Sequence, residues 1–382
     1  MGHAPKRWLA AAGAVSLAAA AVIAPESSAF AAGPTTSYVS VSGFCQGHKA
    51  STTITAAVLA APAGSTIRVC PGTYAEDVVV VKPLTILGWS AEVAPSASDT
   101  SPIANPNLPG NNAFTVLAPH VTIKGFTVSG ATGDGIFIAG DHAVVEHVLA
   151  QGNGSNGINL DGSSWSTVAD NTVTADKAGI ELANDIDAAH LSLPGVTGTA
   201  TYDWVANNIV VNNPGACGIY LVDHAGSTTG VNLANGVHDN TVRGNTVLNN
   251  ALAGYGGGIL MASEVPGGAV YNNTVADNTI AGNFLSGVFL HSHLPGQDLN
   301  GNVIEYNNIG TNNLSTMAEP NDGHTTAIFV GTHDPLSITI TGNALHDDYY
   351  GIFSAGPVQV TRSLNSYTTI AHPFGSVPAF TG

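Results

Sequence analysis

DNTVTADKAGIEL, residues 170–182, holds two strand-like pieces, N-T-V at 171–173 and G-I-E-L at 179–182, with a polar turn between them. Both pieces recur along the chain. Units of the second kind stand at 135 (GIFI), 157 (GINL), 218 (GIYL), 258 (GILM), 287 (GVFL), 327 (AIFV) and 351 (GIFS), and AFTV at 113 fits one step earlier. Units of the first kind are NNIV at 207, GNTV at 244, DNTI at 277, NNIG at 307 and GNAL at 342. The basic period is 22 residues, and the longer intervals carry insertions. Each unit reads as short period-two strands divided by Gly and Asn turns.

Parallel strands ordinarily need helical crossovers, and helical periodicity is nearly absent after residue 62. Coiling the chain so that each strand pairs with its equivalent one turn later removes the difficulty. The expected fold is therefore all-β, a single-stranded parallel β-helix of about ten coils spaced ~4.8 Å apart. Val, Ile and Leu would stack inside. Asn171, Asn208, Asn245, Asn278, Asn308 and Asn343 would form an amide ladder at one turn, satisfying backbone groups that are otherwise buried without partners. An open coil end needs a cap, and STTITAAVLAAP (51–62) supplies a helix with an apolar stripe at Ile54, Ala57, Val58 and Ala61. Ser51 or Thr52 would cap its start.

STIRVCPGTYAEDVVVVKPLTILG (65–88) resembles the opening coil of the pectin-lyase-like superfamily. The G-N-T-[VI]…G-I-x-L units are similar to the repeats of NosD-type periplasmic proteins associated with nitrous-oxide reductase maturation. This resemblance implies a right-handed parallel β-helix over about 65–356. It implies little about activity, because that coil carries lyases, hydrolases, esterases, epimerases and non-enzymes.

Lys6 and Arg7 precede an apolar run from Trp8 to Ala24, and Ala29-Phe30-Ala31 offers a cleavage signal, the pattern of a secretory leader. The expected organisation is a signal peptide over 1–31, an N-terminal segment with the capping helix over 32–64, and the β-helix with loop insertions and a C-terminal cap over 65–382. The product would be secreted or extracytoplasmic, with no membrane span once the leader is removed, and monomeric. Lys and Arg total 9 against 26 Asp and Glu, a net charge of −17. That balance argues against nucleic acid and disfavours a polyanionic substrate unless calcium or a locally basic cleft compensates. In an exported chain Cys45 and Cys70 can form a disulfide. Cys217, just before a core Gly-Ile, reads as a small buried hydrophobe.

Insertions mark the functional edge better than the repeat does. After the Gly-Ile strand the chain runs long at 186–203, 225–236, 265–269 and 294–300, all leaving from one edge, and 313–325 enters from the other side. Six residues after the first residue of the five successive units from 179 to 327 stand Asp185, His224, Glu264, His293 and His333, preceded by Asn184, Asp223, Ser263, Ser292 and Thr332. With 14 His and 26 acidic residues in 382, a position is titratable about one time in ten, so five of five at one offset points to a site. Solvated polar turns are the alternative. Such a column can share a metal or shuttle a proton. His291 falls outside it, as an isolated polar exception at a strand end.

The outward column two residues after each Gly carries Phe137, Asn159, Glu181, Tyr220, Leu260, Phe289, Phe329 and Phe353. Tyr220, Phe289, Glu181 and Phe329 are expected to bind sugar rings, although insertions could equally cover the aromatics. The leading reading is a carbohydrate-active protein acting on a polysaccharide or cell-envelope glycan as lyase, hydrolase or epimerase. His293 or His224 would be its base, and Glu264 or Asp223 its acid or metal ligand. The paired aspartates and G-H-G of polygalacturonases are absent, leaving only Asp134-Gly135-Ile136. The D-P-H-D of mannuronan epimerases is absent too, and no arginine lies in the column, against the arginine-base type of uronate lyase. A NosD-like accessory protein is the alternative, with Asp185, His224, Glu264, His293 and His333 holding calcium or a His-ligated transition metal. A non-catalytic, surface-binding solenoid is the third reading.

Overall fold

A computed structural model describes residues 33–96, 111–184, 198–224, 236–314 and 324–380; the leader expected over 1–31 lies outside them. Two long parallel sheets, of 21 and 11 strands, carry the described chain, with a 3-stranded and a 2-stranded sheet beside them. On the 11-stranded sheet Ile136, Ile158, Ile180, Ile219, Ile259, Val288, Ile328 and Ile352 pair in one line. Every interval, short or long, therefore closes a single coil, and the insertions lie outside the repeat. Val145, Val168, Val205, Val242, Val275, Ile304 and Ile340 form the facing line on the 21-stranded sheet. Both lines belong to one buried core cluster that runs through the coils. The fold is the expected right-handed parallel β-helix.

The amide ladder exists with one member corrected. Asn208 Oδ1 accepts both the backbone N–H and the Nδ2–H of Asn171, each at 3.0 Å, while Asn171 Nδ2 also reaches Val145 O at 3.0 Å. The chain of contacts continues through Asn245, Asn278, Asn307, Asn343 and Asn365. Asn307 takes the place expected for Asn308, because Asn308 pairs with Thr279 as a strand residue and points outward. Just before the ladder, Asp170, Asn207, Asp277 and Tyr306 all have φ of 54–56°. That left-handed corner favours the Asn, Asp or Gly that opens most of these units.

Two parallel ladders escaped the sequence reading. One contains Asn153, Asp176, Asn213, Asn250, Asn283 and Asn312. The other contains Ser166, Asp203, Asn240, Asn273 and Asn302. Aspartate replaces the amide in both, a substitution whose cost is taken up in the Discussion.

The helix Ile54–Ala60 caps the first coil, burying Ile54, Ala57 and Val58. Its N-cap is Thr53, whose hydroxyl accepts from Ala56 N, rather than Ser51 or Thr52. Glu76 adds a carboxylate across the first turn, accepting from Ile54 N and Thr55 N at 2.8 Å each, where the helix end favours negative charge. Cys45 and Cys70 are disulfide-bonded, stapling the segment before the helix to the strand after it. Cys217 is buried, and its sulfur accepts the Gly257 N–H. Among the described residues no helix is long and apolar enough to cross a membrane.

Candidate functional site

Strand alternation on the 11-stranded sheet places Ile219 and Leu221 in the core and turns Tyr220 outward. The same alternation stacks Phe137, Asn159, Glu181, Tyr220, Leu260, Phe289, Phe329 and Phe353 as one outward column, in register throughout. Two residues on, Ala183, Val222, Ala262 and Gly331 make a low floor, interrupted by His291 and bordered one coil earlier by Asp161. Asp223, Ser263 and Ser292 then pair at the strand ends, so His224, Glu264 and His293 follow in adjacent coils.

His224 lies between two carboxylates. Its Nδ1 is 3.2 Å from Glu264 Oε2, and its Nε2 is 3.8 Å from Glu181 Oε1. Glu181 is in turn fixed from behind by Asn156, whose Nδ2 donates to Oε2 at 2.6 Å. The Tyr220 hydroxyl donates to Oδ1 of the same Asn156. Behind Asn156 stands Asp134, which accepts from Asn156 N at 2.9 Å and from Asn159 Nδ2 at 3.2 Å.

The environments of these groups differ. Hydrogen bonding to His224 holds the Glu264 carboxyl below the usual range, opposed by partial burial and helped by the charges of His224 and His293. Burial pushes the Tyr220 phenol well above its ordinary value, and Glu181 and Asp134 push it the same way. Burial also raises Asp134, against its hydrogen bonds from Asn156 and Asn159. Tyr220 is thus kept as an O–H donor to Asn156 and Glu264 as an anion, while Glu181 and Glu264 flank an imidazole, the side chain suited to moving a proton.

His291 and His293 form a second pair, Nε2 to Nε2 at 2.7 Å. The His291 ring stacks on Phe289 with centroids 4.1 Å apart. Burial lowers His291 to about 3, with His293 adding to the effect and Glu264 opposing it. His291 therefore stays a neutral imidazole at ordinary pH. It is no isolated exception: on a floor of small residues its ring has room to lie between Phe289 and His293.

Other expected residues are placed differently. Phe289 and Phe329 are 4% and 0% exposed, packed with Phe353, Leu285 and Phe380, so they are part of an apolar cluster and not an open sugar platform. Asp223 is buried, and its Oδ2 accepts Ala269 N–H at 2.6 Å, tying down the 265–269 loop. The N–H of His333 donates to Ser292 Oγ and its ring meets Phe380 edge-on, away from the His224–Glu264 contact. Asp185 and most of the loops at 186–203, 225–236 and 313–325 lie outside the described residues. Among the described residues no three His, Cys, Asp or Glu side chains come together as a metal site; within the column His224 meets Glu264, while His293 meets His291 from outside it. The sequence reading gave no site role to Asn156 or Asp134, and placed Asn159 in the outward column without one. The signal for the first two was the polar residue immediately before Gly135 and Gly157, seen only at Asp134, as a D-G-I fragment.

The sequence matches the family described as periplasmic copper-binding protein (NosD) over residues 102–278. No curated protein matches the chain. Among solved structures it is similar to the A-module of the Azotobacter vinelandii mannuronan C-5 epimerase AlgE4, at 15% identity and TM-score 0.58, covering 84% of this chain and 91% of that one. The AlgE6 A-module of the same organism gives 17% identity and TM-score 0.55, covering 86% and 93%. A hyperthermoactive exopolygalacturonase from Thermotoga maritima gives 9% identity and TM-score 0.54, covering 79% and 84%. At such identities these likenesses establish the fold alone. The chain is a right-handed parallel β-helix, and over residues 102–278 its sequence is similar to the NosD family.

Proposed function

We propose that this is an exported protein that binds a polysaccharide across the outward face of the 11-stranded sheet and processes it by proton transfer through His224. The carrying observation is the imidazole set between Glu181 and Glu264, with Glu181 fixed in turn by Asn156. Lysis, hydrolysis and epimerisation of a glycan all need a positioned acid or base at one carbon or oxygen. His224 supplies it. Glu264, held ionised, orients the ring and stabilises its protonated form, so it serves as partner and not as acid. Tyr220, whose hydroxyl donates to Asn156, holds in place the amide that fixes Glu181 beside His224. The disulfide, and fold neighbours described as epimerases and an exopolygalacturonase, support this setting. A panel of glycans assayed with wild type and His224→Ala tests it. Loss of about 10²–10⁴-fold in turnover with glycan binding retained is expected; full activity in the variant removes His224, and no turnover on any glycan removes the class.

One observation favours a second reading, metal binding by an accessory protein: two imidazoles converge at His291 and His293, in a chain whose matched family is described as copper-binding. Paired imidazoles suit copper, which would add a redox-active or Lewis-acidic centre there. Metal content of protein purified without chelator, compared with a His291→Ala/His293→Ala variant, decides it; equal content in both removes this reading.

A further inference from the structure

How much of the outward face a glycan reaches depends on what already covers it. Along the outward column, Thr115, Phe137 and Asn159 are buried on one side and Phe289, Phe329 and Phe353 on the other, none more than 8% exposed. Between them Glu181, Tyr220 and Leu260 are half-buried. At the strand ends beside this stretch His224 is half-buried, and Glu264 and His293 are exposed. The reachable face is thus a window of about 10 Å along the helix axis, set by three adjacent coils.

One end of the window is closed by a residue from far along the chain. In the floor column Ala262 is followed by His291 and then by Gly331. The His291 ring narrows the first of these coils by stacking on Phe289, with centroids 4.1 Å apart. Phe380 fills the second. A Cβ on Gly331 would come within 2.7 Å of the Phe380 ring. That ring lies 6.4 Å from Phe329 and meets His333 edge-on at 5.0 Å. Across the strands, the loops at 265–269 and 294–298 stand at the strand ends, tied together where Gln297 Nε2 donates to Val265 O at 2.7 Å. A glycan laid along the coils runs into close-packed side chains in either direction, so the window suits a chain end.

We propose that this site takes the end of a glycan chain rather than an internal stretch, and that Phe380 limits how far the end penetrates. The inference rests on the reading that this face handles a glycan. Linear oligosaccharides of galacturonate, mannuronate, glucose and N-acetylglucosamine, each in stepwise increasing length, test it by calorimetric titration of the full chain, Phe380→Ala and Phe380→Leu. For the series that binds, the number of proteins bound per chain should stay constant as the chains lengthen, because every chain has the same ends. Affinity should level off after the first few sugars. Phe380→Ala should bind the longer members about threefold more tightly, the gain from one added sugar contact with the uncovered Phe329, and leave the shortest unchanged. Phe380→Leu, which keeps the plug, should match wild type. A number of proteins per chain that rises with length shows internal binding and overturns the proposal, and so does a Phe380→Ala profile identical to wild type. Either result leaves proton transfer through His224 intact, whereas full activity in His224→Ala leaves chain-end binding intact. Absence of binding to every series overturns both.

Discussion

Nδ1 of His224 lies 3.2 Å from Oε2 of Glu264, which holds the equivalent position one coil later. The contact exists because coil spacing brings like positions within hydrogen-bond reach. It holds the Glu264 carboxyl below its ordinary range. A lowered carboxylate contributes stability above its unfolded value and loses it as pH falls through the folded one. Since Glu264 is almost half exposed, that contribution is screened and small. Glu264→Gln is therefore expected to leave the melting temperature nearly unchanged while lowering turnover about 10- to 100-fold. A large loss of stability with full activity would make Glu264 a structural residue.

Asp176 should make the fold less stable as pH rises. It sits fully buried in an amide ladder, where its Oδ1 accepts from Asn153 N and Nδ2 at 2.7 Å each, but its Oδ2 has no partner. An Asn there would donate from that position, as Asn213 does to Asn250. Burial raises Asp176 to about 7, with Asp134 adding to the shift and the Asn153 bonds opposing it. The folded chain thus keeps a proton that the unfolded chain releases near pH 4. Stability is full below that value and falls by up to ~1.4 kcal/mol per pH unit until about pH 7. Asp203, also raised by burial, extends the trend. Asp176→Asn should stabilise the protein by about 1–3 kcal/mol at pH 8 and flatten the profile in urea titrations. An unchanged profile refutes the neutral-acid reading.

His291 should act in the opposite sense. Its imidazole is lowered to about 3 by burial, so the unfolded chain binds a proton that the folded chain refuses between about pH 6.5 and 3. Stability from this group is present above 6.5 and declines as pH falls. The slopes of Asp176 and His291 oppose each other over that window, so single variants are needed to separate them. His291→Gln should reduce acid sensitivity between pH 6 and 4. NMR showing His291 protonated at pH 5 would contradict the account.

Two neighbouring asparagines offer a sharp contrast. Asn245→Ala removes the acceptor for Asn208 N and Nδ2 and leaves Val205 O without the Asn245 amide. Buried groups stranded in this way cost about 1–3 kcal/mol or more. Asn308→Ala, at an exposed strand position, should change stability by less than ~0.5 kcal/mol. Chemical denaturation of both checks the ladder assignment, and equal effects would contradict it.

The coil was legible because its signal is periodic: the Gly-Ile units register across long insertions, and Ile180, Ile219 and Ile259 pair whatever length of chain lies between them. What failed was position within a coil and contact between columns. NNIG offers two asparagines for one ladder site, and only pairing with the preceding coil selects Asn307. His291 and Asn156 act through neighbours in other columns or coils, which an offset count treats separately. Phe289 and Phe329 stand outward as read, but their exposure is decided by Phe380, far along the chain. Asp176 read as part of a polar turn and Asp134 only as a motif fragment, because burial is a tertiary property.

The most direct measurement is turnover of a responsive glycan by His224→Ala with and without added imidazole. Loss of activity that free imidazole restores in part, with glycan binding and melting temperature unchanged, is the predicted result. Activity equal to wild type in the unrescued variant would contradict proton transfer through His224.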